Sequence, residues 1–214
     1  MDMVAALTDS LSEPVEEVCA VETLTEFQIE PWREAFEKGL PFVVDGVEYN
    51  RDVEVAAWVD ARAGGEVVES ARPGARAFGV LGGNGTRVAG VSYFHPRGKD
   101  IEAAVAVDDL EACRPAVFRR ILGYAFDPNP AVGLGCTGIS IEVEWSNTRC
   151  IRAAYLLGCV PIGQKPHVDR VLMVLAPNRC PFTRHLGWSS VLVPACPILL
   201  PRVKQIAEAP VPIL

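Results

Sequence analysis

The stretch EVEWSNTRCIRAAYLLGCVPIG, residues 142–163, predicts a strand, a sharp turn and a short helix. Apolar residues occupy every second position of the strand up to Trp145, which is typical of a strand with one buried face. The helix is expected over residues 148–157, with Gly158 at its C-terminal end. Gly163 is then expected to reverse the chain. A strand that leads into a closed helix indicates a protein in which strands and helices alternate.

The sequence on either side of this stretch predicts further strands and helices. Three segments alternate with a period of two and are expected as strands, at 75–83, 86–94 and 100–108. Asn84-Gly85 lies between the first two and is expected to supply the positive φ angles of a tight hairpin. Two helices are expected at 52–64 and 115–126, and a last strand at 167–177. These elements predict an α/β (α+β) fold with a mixed, twisted sheet flanked by helices.

Composition divides the chain into three predicted segments. Residues 1–39 contain ten acidic and two basic side chains and are expected to form an acidic helical arm. Residues 40–177 form the predicted folded domain. Residues 178–214 are proline-rich and apolar, and we expect them to dock on this domain or on a partner subunit, because so much apolar surface is unfavourable in water.

The same composition argues against several classes of protein. No apolar run approaches the roughly 18 residues of a membrane span, so no membrane association is expected. A basic stripe is absent and the N-terminal arm is acidic, so nucleic-acid binding is not expected. The acidic N-terminus differs from a secretory signal, which favours a cytoplasmic location. The seven cysteines form no C-x-x-C pair, so we expect buried thiols and no metal site.

The order of elements over residues 40–177 resembles the GNAT N-acetyltransferase superfamily. Family members carry an Asn after the fifth strand of their domain, a Gly-Phe pair eleven residues on, and a further Gly. Here Asn147 is followed eleven residues later by Gly158, and five residues beyond that by Gly163. Cys159 stands where the family has Phe.

This resemblance implies an acyl-CoA-dependent N-acetyltransferase that moves an acetyl group from acetyl-CoA to the primary amine of a small molecule or peptide. In the family, the pantetheine arm pairs with the fourth strand and the pyrophosphate rests at the start of the next helix, where the helix dipole favours an anion. The positions that match here, together with the asparagine of the motif, are Val105, Val107, Cys113, Arg114, Arg119, Arg120 and Asn147.

The resemblance also implies a general base and a general acid. Glu142 and Glu144 lie on the polar face of the predicted strand 138–145 and are the candidate bases, with Glu102 as a further carboxylate. The family's acid is a Tyr seven residues after the Asn, which would protonate the leaving thiolate. Tyr155 stands one position later, and Ala154 occupies the expected position.

One segment departs clearly from the family. The pyrophosphate loop normally contains glycines that let the backbone approach the phosphates. Residues 108–115, DDLEACRP, contain no glycine and three acidic side chains, and Pro115 removes an amide donor. The chain therefore resembles a degenerate member of the family.

Two alternative functions remain open, and the departures favour the first of them. The first is an inactive GNAT-fold structural or assembly component, such as a phage virion protein, located in the host cytoplasm or the virion. Homo- or hetero-oligomers would then form through residues 178–214. The second is a cysteine hydrolase, which would need Cys113 or Cys150 beside a histidine.

Overall fold

The computed structural model describes residues 30–63, 75–109, 114–129, 133–165, 167–190 and 194–209. Within these residues the chain forms two compact units, 30–136 and 137–209. Most of the predicted acidic arm lies outside the described residues. The predicted division at residues 39/40 and 177/178 stays a prediction.

The first unit builds an antiparallel arrangement in which consecutive strands pair with each other, from β1 through β5. Its predicted helices and strands at 52–64, 75–83, 86–94, 100–108 and 115–126 are confirmed within a few residues. The elements described in this unit are α1 (Glu30–Glu37), β1 (Phe42–Val44), β2 (Val47–Tyr49), α2 (Asp52–Ala63), β3 (Arg76–Leu81), β4 (Arg87–Arg97), β5 (Asp100–Val107) and α3 (Pro115–Phe126).

The β1–β2 hairpin was not among the predicted elements. Its turn consists of Asp45 and Gly46, with φ angles of 50° and 81°. Positive φ at both central residues is the requirement of a two-residue hairpin turn, and Asp-Gly is a preferred sequence for it. The Gly46 carbonyl accepts a hydrogen bond from the Leu81 amide at 2.8 Å, which fixes the turn beside β3.

The predicted β3–β4 hairpin is present, but its turn differs from the expected one. Gly85 has a φ of 78°, whereas Asn84 is not among the residues with positive φ. The Gly82 amide donates to the Thr86 carbonyl at 2.8 Å, and the Asn84 side chain accepts from the Thr86 amide at 3.0 Å. The longer loop needs a single left-handed residue, so the expectation of two was wrong.

The core of the first unit fixes β5 and α3 in place. Helix α2 buries Val55, Ala56 and Val59 in one cluster with Ala77 and Ala106. On α3, Val117, Ile121, Leu122 and Ala125 are buried along one side of the helix. The Tyr93 hydroxyl on β4 donates to the Ile121 carbonyl at 3.0 Å, which ties α3 to this strand.

The second unit is a three-stranded antiparallel arrangement in which β8 lies between β6 and β7. The predicted strand at 138–145, helix at 148–157 and strand at 167–177 are confirmed. The described elements are β6 (Gly138–Glu144), α4 (Thr148–Leu156), β7 (Val160–Lys165), β8 (Arg170–Leu175), a short 3-10 helix (Arg184–Leu186) and α5 (Leu200–Glu208).

Strand β7 corrects the expectation of a chain reversal at Gly163. The chain instead continues as a strand to Lys165, and the register with β8 shifts between Pro161 and Gly163. Pro and Gly inside a strand are typical of a β-bulge. The glycine therefore marks an irregularity in the ladder and does not end it.

The described part of residues 178–214 packs on its own unit through α5. Val203 is fully buried and Ala207 is buried on the helix that contacts α4. The Arg202 guanidinium carbon lies 3.8 Å from the centre of the Trp145 ring, and Arg152 donates to the Ala209 carbonyl at 2.8 Å. This segment thus packs against α4 and Trp145 within the second unit.

The predicted fold class is confirmed at the level of an α/β (α+β) fold, since each unit combines β-strands with helices. Strands β5 and β6 belong to different units. Among the described residues, no helix has both the length and the apolar character that crossing a bilayer requires.

Candidate functional site

Strand β5 ends in an exposed apolar row. Ile101 and Ala103 are buried, whereas Val105 and Val107 on the same face are 46% and 41% exposed. Their partners across the ladder, Val91 and Ala89 on β4, are both buried. The uncovered surface therefore begins at β5 itself, at the two valines that the resemblance assigned to the pantetheine arm.

The acidic side chain directly after β5 is engaged within the unit. Asp108 accepts a hydrogen bond from Arg62 Nε at 2.7 Å. The amides of Asp108 and Asp109 both donate to the Val88 carbonyl, at 2.7 and 3.1 Å. The Arg62 guanidinium offsets part of the negative charge that the sequence places beside the proposed pyrophosphate position. Cys113 lies outside the described residues.

Helix α3 begins without a side-chain cap. Arg114 precedes it in an extended conformation, its side chain makes no capping hydrogen bond, and Pro115 occupies the first turn. The first amides of a helix have no partner within the helix, and Pro115 removes one of these donors. Arg114 and Arg119 are exposed. The helix dipole and the two exposed arginines favour an anion at this helix start.

Arg120 forms an ion pair within the first unit. Its side chain is 12% exposed and forms an ion pair with Asp45 in the β1–β2 turn, with Nε 3.1 Å from Oδ2. It also hydrogen bonds to Tyr49, which opposes the rise in the tyrosine pKa caused by burial. The structure thus separates Arg120 from the exposed Arg114 and Arg119.

Both candidate bases on β6 are paired with basic residues of their own unit. Glu142 lies 2.5 Å from Lys165 Nζ on β7, and Glu144 lies 3.1 Å from Arg170 Nη2 on β8. The predicted polar face is present, since Glu142 and Glu144 are exposed while Val143 between them is buried. Their role as proton acceptors stays a prediction.

The segment after β6 has the shape that its sequence predicts. Asn147 caps α4, and its side-chain oxygen accepts from the Cys150 amide at 3.0 Å. Gly158 ends the helix region with a φ of 93°, and a Cβ there would lie 2.4 Å from the Arg179 carbonyl oxygen. Helix capping and close packing within the second unit therefore explain why Asn147 and Gly158 suit these positions without a ligand.

Helix α4 begins at Thr148, directly after its cap, so Tyr155 stays one position beyond the place of the family's acid. Ala154, at that place, is buried, and Tyr155 is half-buried. Burial raises the pKa of the Cys150 thiol, which is the opposite of what a nucleophilic cysteine needs. This shift argues against Cys150 as the nucleophile of a cysteine hydrolase.

One cluster of ionisable groups, at the turn between β4 and β5, was not predicted from the sequence. His95 Nδ1 lies 3.2 Å from Glu102 Oε2, and Arg97 Nη2 lies 2.8 Å from Glu102 Oε1. Only Glu102 was named from the sequence, as a carboxylate on its own. The available signal was Pro96, because a proline inside a strand pattern marks an edge or a bulge.

Comparison with solved structures finds acetyltransferases at low sequence identity. A mutant form of the spermidine/spermine N-acetyltransferase SpeG from Vibrio cholerae is 14% identical, with 49% of this chain and 68% of that chain covered and a TM-score of 0.39. The N-acetyltransferase PseH of Campylobacter jejuni, in complex with acetyl coenzyme A, is 13% identical, with 49% and 70% covered and a TM-score of 0.39.

A third similar structure covers more of both chains. It is a protein from T. thermophilus, provisionally called an acetyltransferase, that is 18% identical over 68% of this chain and 94% of that chain, with a TM-score of 0.45. No family model and no curated protein matches the sequence. In the described part of the chain, no three His, Cys, Asp or Glu side chains come together in a way that could hold a metal ion.

Proposed function

We propose that this protein binds acetyl-CoA and transfers the acetyl group to a primary amine, as an acyl-CoA-dependent N-acetyltransferase. The observation that carries the proposal is the end of β5, where Val105 and Val107 are exposed beside buried partners and are followed by an uncapped helix flanked by arginines. An apolar row suits a pantetheine arm, and the positive end of a helix dipole with exposed arginines suits a pyrophosphate.

The chemistry of the proposal is a direct attack of the amine on the thioester carbonyl. The C–N bond forms, the C–S bond breaks, and the thiolate of CoA leaves and takes up a proton. The ammonium form of the amine must lose a proton before it attacks. Glu142 and Glu144 are the acceptors that the resemblance assigns, and Tyr155 is the assigned donor to the thiolate; these roles are part of the proposal.

The test is a titration of the full chain with acetyl-CoA by calorimetry, followed by an assay of CoA release with a panel of primary amines. We expect saturable binding and amine-dependent release of thiol. Arg114→Glu together with Arg119→Glu should weaken binding at least about tenfold, since each replaces a positive charge by a negative one beside the phosphates. Arg149→Glu reverses an exposed arginine on α4 and is the matched control.

Two outcomes would contradict the proposal. Absence of binding at millimolar acetyl-CoA would leave the inactive structural or assembly component as the better interpretation. Equal weakening by Arg149→Glu and by the α3 variants would mean that charge in general, and not the start of α3, governs binding.

A further inference from the structure

Strands β6 and β7 present a carboxylate and a primary amine on one face of the second unit. Glu142 on β6 lies opposite Leu172 of β8. Lys165 on β7 lies opposite Arg170, two residues earlier on the same strand. Side chains two residues apart on a strand share a face, so Glu142 and Lys165 lie on one face, on either side of β8.

The neighbouring charges direct the Lys165 ammonium group to Glu142. Arg170 forms an ion pair with Glu144, with Nη2 3.1 Å from Oε1. Like charges directly opposite each other in a sheet repel, and Lys165 lies directly opposite Arg170. The lysine side chain reaches Glu142 instead, with Nζ 2.5 Å from Oε1. Of the two basic partners on this face, only the lysine carries a primary amine.

The Lys165 amine is open to solvent. The Lys165 side chain is 55% exposed, and that of Glu142 is 27% exposed. A molecule in solution therefore has access to the amine. An ion pair between partly exposed side chains contributes little to stability, so we expect substitutions at either position to leave the fold intact.

This contact places a primary amine where the proposed reaction requires one. A general base must lie within hydrogen-bond reach of the proton that it accepts, and Lys165 Nζ lies within that reach of Glu142. In the proposed reaction the thioester carbon meets the amine that Glu142 deprotonates. The amine that already occupies this position belongs to the protein itself.

We infer that Lys165 is an acceptor of the acetyl group, so that the protein acetylates its own lysine. This inference rests on the proposed function. The Lys165 ammonium gives one proton to Glu142, and the freed lone pair attacks the thioester carbon. The C–N bond forms, the C–S bond breaks, and the CoA thiolate takes up the second amine proton. Glu142 then returns its proton to solvent, and the product is an amide of Lys165 with free CoA.

The experiment incubates the full chain with acetyl-CoA, without added amine, and follows intact mass and peptide masses over time. We expect one added acetyl group per chain, located on Lys165, at a rate independent of protein concentration, because base and amine belong to the same chain. Lys38 is the internal control, since its Nζ also lies 2.5 Å from a carboxylate, Glu34, and its side chain is 61% exposed. Lys165 should react at least about tenfold faster than Lys38.

Two variants test the role of the carboxylate. Glu142→Gln should slow acetylation of Lys165 about 100-fold with the melting temperature retained. Glu208→Gln removes the carboxylate that is paired with Lys204 on α5, and this matched control should leave the rate at Lys165 unchanged. Lys165→Arg keeps the positive charge and should abolish the added mass.

The possible outcomes separate this inference from the proposed function. Equal rates at Lys165 and Lys38 would overturn the inference, because exposed lysines would then react with acetyl-CoA without assistance. An unchanged rate at Lys165 in Glu142→Gln would overturn it as well. Transfer to added primary amines by a chain whose Lys165 stays unmodified would overturn it and leave the proposed function standing. Transfer neither to Lys165 nor to any added amine would overturn both.

Discussion

Two strand–helix segments of this protein, β5–α3 and β6–α4, differ in how completely their own unit explains them. The β6–α4 segment has a side-chain cap at Asn147, a helix end at Gly158 fixed against Arg179, and a covering helix, α5. The β5–α3 segment has no side-chain cap, begins its helix with a proline, and leaves two valines exposed.

From the sequence alone, β6–α4 is the better candidate for a cofactor site. The structure favours β5–α3 instead. The Asn147 to Gly163 stretch carries the closest match to the acetyltransferase pattern, yet packing within its unit accounts for Asn147 and Gly158. The β5–α3 segment, which lacks the glycines of that pattern, has two exposed arginines and an uncovered apolar row. A ligand is therefore expected mainly at β5–α3, while the β6–α4 segment is expected to respond to mutation through stability.

Among substitutions that test this comparison, Gly158→Ala should give the largest change in the free energy of unfolding. The residue has a φ of 93°, and the new Cβ would lie 2.4 Å from the Arg179 carbonyl oxygen. Strain and overlap together should lower the free energy of unfolding by roughly 3 kcal/mol. Chemical denaturation measures this. Gly163→Ala is the control, since no heavy atom lies within 4 Å of its added Cβ, and a loss as large there would contradict the argument.

The packing of α5 on the second unit should give the next largest effect. Val203 is fully buried, so Val203→Ala should cost about 2 kcal/mol of unfolding free energy, from lost burial and the cavity left behind. Ile198 is 83% exposed, and Ile198→Ala should change stability by less than about 0.5 kcal/mol. Equal effects of the two substitutions would show that α5 is not held on this unit as described.

The two helix starts give a smaller and more direct contrast. Asn147→Ala removes the cap of α4 and should cost about 1 kcal/mol of stability. Arg114→Ala removes a side chain that caps nothing and should change stability by less than about 0.5 kcal/mol, while it weakens acetyl-CoA binding. Thermal melts with and without acetyl-CoA separate the two responses. The reverse pattern would assign the ligand to the capped helix.

Thiol reactivity should give the smallest signal, at Cys150. Burial raises the pKa of this thiol above its ordinary value, so its thiolate fraction at pH 8 is lower in the folded chain than in the unfolded chain. Alkylation followed by mass spectrometry should therefore proceed more slowly at Cys150 in native protein than in urea. The difference should shrink as the pH rises through the raised pKa. Faster alkylation in the native protein than in urea would support Cys150 as a nucleophile and contradict this prediction.

Local patterns were sufficient to predict most elements of the fold, because period-two alternation and apolar stripes depend on near neighbours. The β1–β2 hairpin was missed although Asp45-Gly46 is a strong turn signal, since its strands have only three residues each. Strand β7 was missed because Pro161 and Gly163 suggest a turn, and a bulge accommodates both within the ladder.

The candidate site was less predictable, because its contacts join residues that are far apart in sequence or depend on strand register. The pairing of Arg120 with Asp45 spans 75 residues and removes one expected phosphate ligand from the exposed set. The contact of His95 with Glu102 requires the bulge after Phe94, and a shift of one residue would turn the side chain to the other face. Neither contact can be inferred from spacing.

Hydrogen exchange with and without saturating acetyl-CoA tests most directly whether β5–α3 is the segment that holds the cofactor. Backbone amides that pair with a pantetheine arm or a pyrophosphate exchange more slowly. We predict that the strongest new protection falls in peptides covering residues 104–118, with smaller changes over 142–163. Protection confined to residues 142–163, or no protection in either segment at millimolar acetyl-CoA, would contradict the claim that β5–α3 holds the cofactor.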